Sequence, residues 1–195
     1  MNPASSSAFR LHISLTEIDP PIWREVAVRS STTLHELHRI IQMAFSWRDY
    51  HLYDFRVGGR RFEAPDPETE SEDASRVQLR SLSLEPGNSF DYVYDFGDDW
   101  RHRIQVIDIY QAADLDDLPW VIDGARRGPI EDSGGPQRFM ELLAALDRPL
   151  EDLEDDDRTF VEWAGLDFDP EAFNLDQARH SLHLCSRWGA LKRRG

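Results

Sequence analysis

Hydrophobic and polar positions alternate from residue 9 to 15, with Phe9, Leu11, Ile13 and Leu15 on one side and Arg10, His12 and Ser14 on the other. That period of two predicts a half-buried strand. The Asp19-Pro20-Pro21 stretch breaks it. IWREVAVR then resumes an extended pattern with Val26 and Val28 on one face, so two strands joined by a proline turn are expected. At residue 34 the period changes. Leu34, Leu37, Ile41, Ala44 and Phe45 follow helical spacing, and Thr33 with Glu36 fits a capping box, which predicts a helix over 34–46.

LYDFRVGGRRFEA reads as a hairpin, with Tyr53, Phe55 and Val57 sharing a face and Gly58-Gly59 supplying a primed turn. Residues 64–75 hold five acidic residues, two prolines and no basic one, which predicts an exposed, mobile loop. VQLRSLSLEPGNS returns to the core and turns at Pro86-Gly87. FDYVYDF alternates again, with Phe90, Tyr92, Tyr94 and Phe96 on one face, and WRHRIQVIDIY returns after Gly97-Asp98-Asp99 as a second hairpin. From residue 111 the pattern loosens, and LPWVIDGARRGPIEDSGGP reads as irregular until Pro136 opens a helix striped by Phe139, Leu142, Leu143 and Leu146. DDDRTFVEWAG predicts a short helix closed by Gly165, and Asn174 with Gln177 caps a last one through about Ser186. Leu175, Ala178, Leu182 and Cys185 are expected on its inner side.

The elements predict an α+β class: antiparallel β-hairpins packed on a helix, followed by an acidic helical part of about three helices. A length of 195 residues suits one domain. Its expected bounds are 9–186, β-rich over 9–110 and helical over 111–186. A disordered stretch at 1–8 and a basic tail at 187–195 would flank it. The single cysteine excludes an internal disulfide and a cysteine-cluster zinc site, and points to a reducing, cytoplasmic setting. No signal peptide and no apolar run of spanning length is visible.

The net charge of −15 is unevenly placed: −6 over residues 1–110, −14 over 111–176 and +5 over the last 19. This acidity argues against nucleic acid as the partner. The one feature in its favour is a pair of strand faces, Arg101 with Arg103 and Arg10 with His12 and Ser14, which would form a basic surface if the strands were adjacent.

YDFGDDWRH, residues 94–102, gathers Asp95, Asp98, Asp99 and His102 around one glycine. Carboxylate oxygens and a neutral imidazole suit a hard or borderline divalent ion, with Asp95, Asp98 and His102 as the ligand set. The same residues also make a good turn: Gly97 permits the reversal, Asp98 and Asp99 bond their own amides, and Tyr94, Phe96 and Trp100 pack across it. His51, Glu131 and Asp132 complete the candidate polar cluster. Trp23 and Arg24 could stack on and pair with an anionic group, and Arg56, Trp100 and Arg101 extend that candidate binding set. Plainer roles are equally open: Trp23 packing across a sheet, Arg24 paired with an acidic neighbour. His35 and His38 stand one helical turn apart. No HExxH, EF-hand loop, GxSxG or phosphate-cradling glycine spacing occurs, and no catalytic residue can be assigned. No cofactor is predicted, and a divalent metal stays open.

Six stretches in order resemble a known family: PPIWR (20–24), TLHELH with AFSW (33–47), HLYDFRVGGRRF (51–62), YDFGDDWRH (94–102), EDSGG (131–135) and FDPEAF (168–173). They are similar to the plasmid pRiA4b ORF-3-like proteins, also described as transposon-passenger proteins of TnpR type, over about residues 9–183. The resemblance implies an uncharacterised protein associated with mobile elements. Many members carry a histidine where this chain has Tyr53, and cysteines where it has Gly128 and Ser133. Thiolate ligation at those places is therefore not expected here. Three functions remain in play: a non-enzymatic accessory module acting through a protein partner, a metal-assisted hydrolase using the Asp/His cluster, and a weak DNA-binding accessory protein.

Overall fold

A computed structural model describes residues 7–65, 69–111 and 117–192, with side chains described through residue 184. Among these residues eight strands form one sheet: β1 (Ser7–Leu15), β2 (Trp23–Arg29), β3 (Tyr53–Val57), β4 (Arg60–Glu63), β5 (Glu72–Asp73), β6 (Ser89–Tyr94), β7 (Trp100–Gln111) and β8 (Trp120–Ala125). Four α-helices of the described residues accompany it: α1 (Leu34–Phe45), α2 (Gly135–Leu146), α3 (Asp155–Ala164) and α4 (Leu175–Lys192). The strand order is β5-β4-β3-β6-β7-β1-β2-β8, antiparallel except for the β4–β5 pair, so the sheet is mixed and the class is α+β.

The alternation in the sequence becomes the two faces of this sheet. Along β7 every second residue from Trp100 to Val106 is buried, while Arg101, Arg103, Gln105 and Ile107 are exposed. The inner face carries Leu11, Ile13, Val26, Phe55, Tyr92 and Ile104, all at or near zero exposure. Helix α1 lies against this face. It begins where the capping box predicts: the Thr33 hydroxyl accepts from the Glu36 amide and the Glu36 carboxylate accepts from the Thr33 amide. It ends at Ser46 in the left-handed region, and Leu34, Leu37, Ile41 and Phe45 bury its apolar side. Helix α4 packs against α1 and β8, and α2 against α3. The Gly165 amide closes α3, and the Asn174 side chain accepts from the Gln177 amide at the start of α4.

Several boundaries differ from the expectation. Ser7 and Ala8 already belong to β1, and residues 1–6 of the expected disordered start lie outside the described residues. The acidic segment is partly built into the sheet, because β5 pairs with β4 and Ala74 is fully buried, its amide bonded to the Glu63 carbonyl. Residues 120–125 are not irregular but an edge strand, paired antiparallel with β2, so helix begins only at Gly135. Helix α4 runs past Ser186 to Lys192. The side chain of Cys185 and those of the basic tail lie outside the described residues.

Candidate metal centre and the adjoining cavity

The hairpin tip is built by backbone geometry. Asp95 and Asp99 both take positive φ, 56° and 57°, a conformation that aspartate tolerates better than most residues. Asp95 Oδ1 accepts from the Gly97 and Asp98 amides at 3.0 and 3.3 Å, which leaves Oδ2 free of the turn. Asp98 Oδ2 accepts the Gly134 amide at 3.1 Å and so ties the tip to the loop before α2. Gly135 is packed so closely there that a Cβ would stand 2.5 Å from the Asp98 carbonyl oxygen. This docking carries Asp132 to the tip.

His51 Nε2 lies 3.0 Å from Asp132 Oδ1 and 3.5 Å from Asp95 Oδ2. Among the described residues this is the one group of His, Cys, Asp or Glu side chains in which three ligating atoms converge, all within 4.8 Å of one another. Ligands held about 2.1 Å from an ion stand roughly 3.0–3.4 Å apart at octahedral and tetrahedral angles. The two separations from the imidazole nitrogen, 3.0 and 3.5 Å, lie close to that spacing. The buried Nε2 makes no well-aligned hydrogen bond to either flanking carboxylate, despite its proximity to both. A buried nitrogen close to two carboxylates and hydrogen-bonded to neither is compatible with all three sharing an ion.

The other sequence candidates separate from this group. His102 is fully buried on the inner face, edge-on to Phe45 and Trp47 at 5.1 and 5.3 Å, with Nδ1 facing the Trp100 carbonyl at 3.0 Å. Burial lowers its pKa to about 3, so it is a neutral core residue. The structure thus replaces His102 by His51, and Asp98 by Asp132, in the set that converges with Asp95. Asp99 pairs with Arg101, and Asp98 serves the loop tie. Arg56 bonds Asp54 Oδ2, as does Arg61. Trp100 is in the core opposite Tyr94. His35 and His38 each have separate partners: His35 meets the Tyr53 hydroxyl at 2.8 Å, while His38 bridges the Tyr92 hydroxyl and Asp49 at 2.8 and 2.7 Å.

Glu131 stands beside the centre. Its carboxylate accepts from the Tyr94 hydroxyl at 2.6 Å and from the Arg48 amide at 3.0 Å. Burial, reinforced by that carboxylate, pushes the Tyr94 phenol above its ordinary pKa, so it remains a donor. Glu131 and Asp132 also line a cavity of about 600 Å³, together with Arg24, Arg48, Tyr50 and Arg127. Among the described residues Arg24 pairs with no carboxylate. The residue is 2 % exposed, and its guanidinium donates to the carbonyls of Ala44, Trp23, Ala125 and Arg126 at 2.7–2.8 Å and lies over the rings of Phe45 and Phe173. Burial lowers its pKa to about 10. Trp23 stacks on His12 across the outer face at 5.0 Å. Strands β1 and β7 are indeed adjacent, but each arginine of the would-be basic surface is neutralised: Arg10 by Glu25, Arg101 by Asp99 and Arg103 by Asp91.

The model of the plasmid pRiA4b ORF-3-like protein family matches residues 7–177. The chain belongs to that family. This pRiA4b ORF-3-like chain is 34 % identical over 194 residues to the uncharacterized protein y4hQ of Sinorhizobium fredii (strain NBRC 101917 / NGR234), covering 97 % of this chain and 98 % of that one. It also resembles the crystal structure of a protein of unknown function, MM3350, from Methanosarcina mazei Go1, with a TM-score of 0.79 and 29 % identity, over 87 % of this chain and 96 % of that one. Neither relative's name states an activity. Arg48 and Arg127, which share the cavity, carry no sequence signal that would have singled them out, and Asn174 and Gln177 are legible only as a helix cap.

Proposed function

We propose that this protein binds one divalent cation through His51, Asp95 and Asp132 and is a metal-assisted hydrolase acting on a ligand in the adjoining cavity. The observation that carries this reading is the convergence of an unbonded imidazole nitrogen with two carboxylate oxygens, one of them from Asp132, which also lines the cavity. A set of three protein ligands leaves coordination positions for water, whose pKa an ion lowers towards neutrality. Tyr94 and Arg48 hold Glu131 in place next to Asp132. The test is calorimetric titration with Mn²⁺ or Zn²⁺, followed by melting curves and assays on ester substrates. One ion per chain is expected, together with a higher melting temperature and metal-dependent hydrolysis, all lost in His51→Ala and Asp132→Asn. Wild-type protein that takes up neither ion would sink the proposal.

A second reading is an accessory module of a mobile element, cytoplasmic and acting through a protein partner. It is supported by an exposed aromatic surface: Phe160 and Trp163 stack at 5.5 Å, with Trp163 51 % and neighbouring Leu166 71 % exposed. The single cysteine suits a reducing compartment, and no helix among the described residues is long and apolar enough to cross a membrane. If this surface docks a partner, Trp163→Ala with Leu166→Ala abolishes a specific co-purifying protein and leaves metal uptake intact. Recovery of the same protein with the double variant would count against it. The paired arginines of the outer face speak against direct DNA binding.

A further inference from the structure

Most arginines of the described residues stand within 4.0 Å of a carboxylate, as expected for a chain of net charge −15. Three on the wall of the cavity do not. Arg24 is buried and bonded to carbonyl oxygens, and its charge has no counter-ion among the described residues. Arg48 contributes its backbone amide to Glu131, but its guanidinium joins no ion pair among the described residues. Arg127 is steadied by Phe168, whose ring centroid lies 4.6 Å from the guanidinium carbon, and its donors likewise meet no carboxylate there. Arg39, Arg80 and Arg148 also stand outside the ion pairs; what sets these three apart is that exposed Arg48 and Arg127 share one cavity with buried Arg24 and add to a single positive field.

We infer that this cavity binds the phosphate group of a small phosphate ester, held by Arg48 and Arg127 in the field of Arg24 and presented to the cation at His51, Asp95 and Asp132. This subsite rests on the metal-centre reading for its reactive partner, not for its own affinity. A phosphate dianion offers three acceptor oxygens and two negative charges to two guanidinia and an ion, more than a carboxylate with two oxygens and one charge. A volume of about 600 Å³ admits the ester's organic group as well. The two carboxylates in the wall keep their charge, but each has a partner of its own. Glu131 is engaged by Tyr94 and the Arg48 amide, and Asp132 belongs to the ion. The cavity wall also includes Asn174 and Gln177 at the start of α4, whose positive end favours an anion.

The test is calorimetric titration of the full chain with phenyl phosphate, with inorganic phosphate and with succinate, each with and without Mn²⁺. Wild type is compared with Arg48→Gln, Arg127→Gln, Arg127→Lys and His51→Ala, and melting curves verify that each variant folds. The expected result is phenyl phosphate affinity that falls about tenfold or more in Arg48→Gln and Arg127→Gln. Arg127→Lys would recover part of it, and Mn²⁺ uptake would be unchanged in all three. Phosphate binding that ignores both glutamine variants overturns the subsite, as does Mn²⁺ uptake without any phosphate binding. Succinate binding as tightly as phosphate overturns the phosphate assignment. Arginine-dependent phosphate binding in a chain that takes up no Mn²⁺ overturns the metal centre instead and leaves the subsite standing.

Discussion

The two faces of the eight-stranded sheet treat charge in opposite ways. On the outer face Arg10, Arg101 and Arg103 each meet a carboxylate in solvent, an arrangement that contributes little to stability. On the inner side Arg24 and His102 are buried against carbonyl oxygens, with no charge of opposite sign. Counting charges along the chain treats these arginines as equals. Their partners make them different: the outer ones are neutral pairs, while Arg24 straps the end of α1 to β8 and leaves a positive field in a cavity. Net charge excludes a broad basic footprint, but it says nothing about where a local anion site lies.

The largest effect should come from acid. The pKa of His102 is lowered from an ordinary 6.5 to about 3 in the fold, so the folded state binds fewer protons than the unfolded chain between those values. This group costs no stability above pH 6.5, and stability falls as pH drops towards 3, by up to about 1.4 kcal/mol per pH unit. Chemical denaturation across that range should show a steeper acid loss in wild type than in His102→Gln. Equal slopes would mean that burial on the inner face does not set this group's protonation. Next, Arg24→Ala strands four carbonyls and opens space between Phe45 and Phe173, at a cost of roughly 3 kcal/mol in urea denaturation. Gly135→Ala should cost about 2 kcal/mol, because φ is 82° and the new Cβ meets the Asp98 carbonyl oxygen. It should also weaken Mn²⁺ binding by moving Asp132. Smallest of all, Arg101→Gln on the outer face should leave the melting temperature unchanged. A marked drop would show that the outer pairs matter after all and would erase the contrast between the faces.

Local pattern made part of this legible. The capping box at Thr33 and Glu36, and the alternation along β1 and β7, each follow from neighbours a few residues apart. Strand β8 was hidden because Trp120–Ala125 shows no alternation and includes Gly124, which lies beneath Phe173. The candidate cluster divides for a related reason. Asp95 and His102 are close in sequence, but Asp95 leaves the strand in the left-handed region while His102 follows the inward alternation of Trp100 and Ile104. The partner that His51 meets is 81 residues away, and nothing short of the fold brings the two together. The unpaired state of Arg48 and Arg127 was equally invisible, since being unpaired is a property of surroundings rather than of sequence.

His51, Asp95 and Asp132 come from three separate connections, each about 40 residues from the next. No fragment of the chain holds all three until β3, the β6–β7 hairpin and the entry to α2 have assembled. Such distant pairings close late, because the intervening chain must first be ordered. An ion captured there would act as a completion signal: a ribosome-bound or partly folded chain would have no affinity for it, and only the finished domain would be charged and locked.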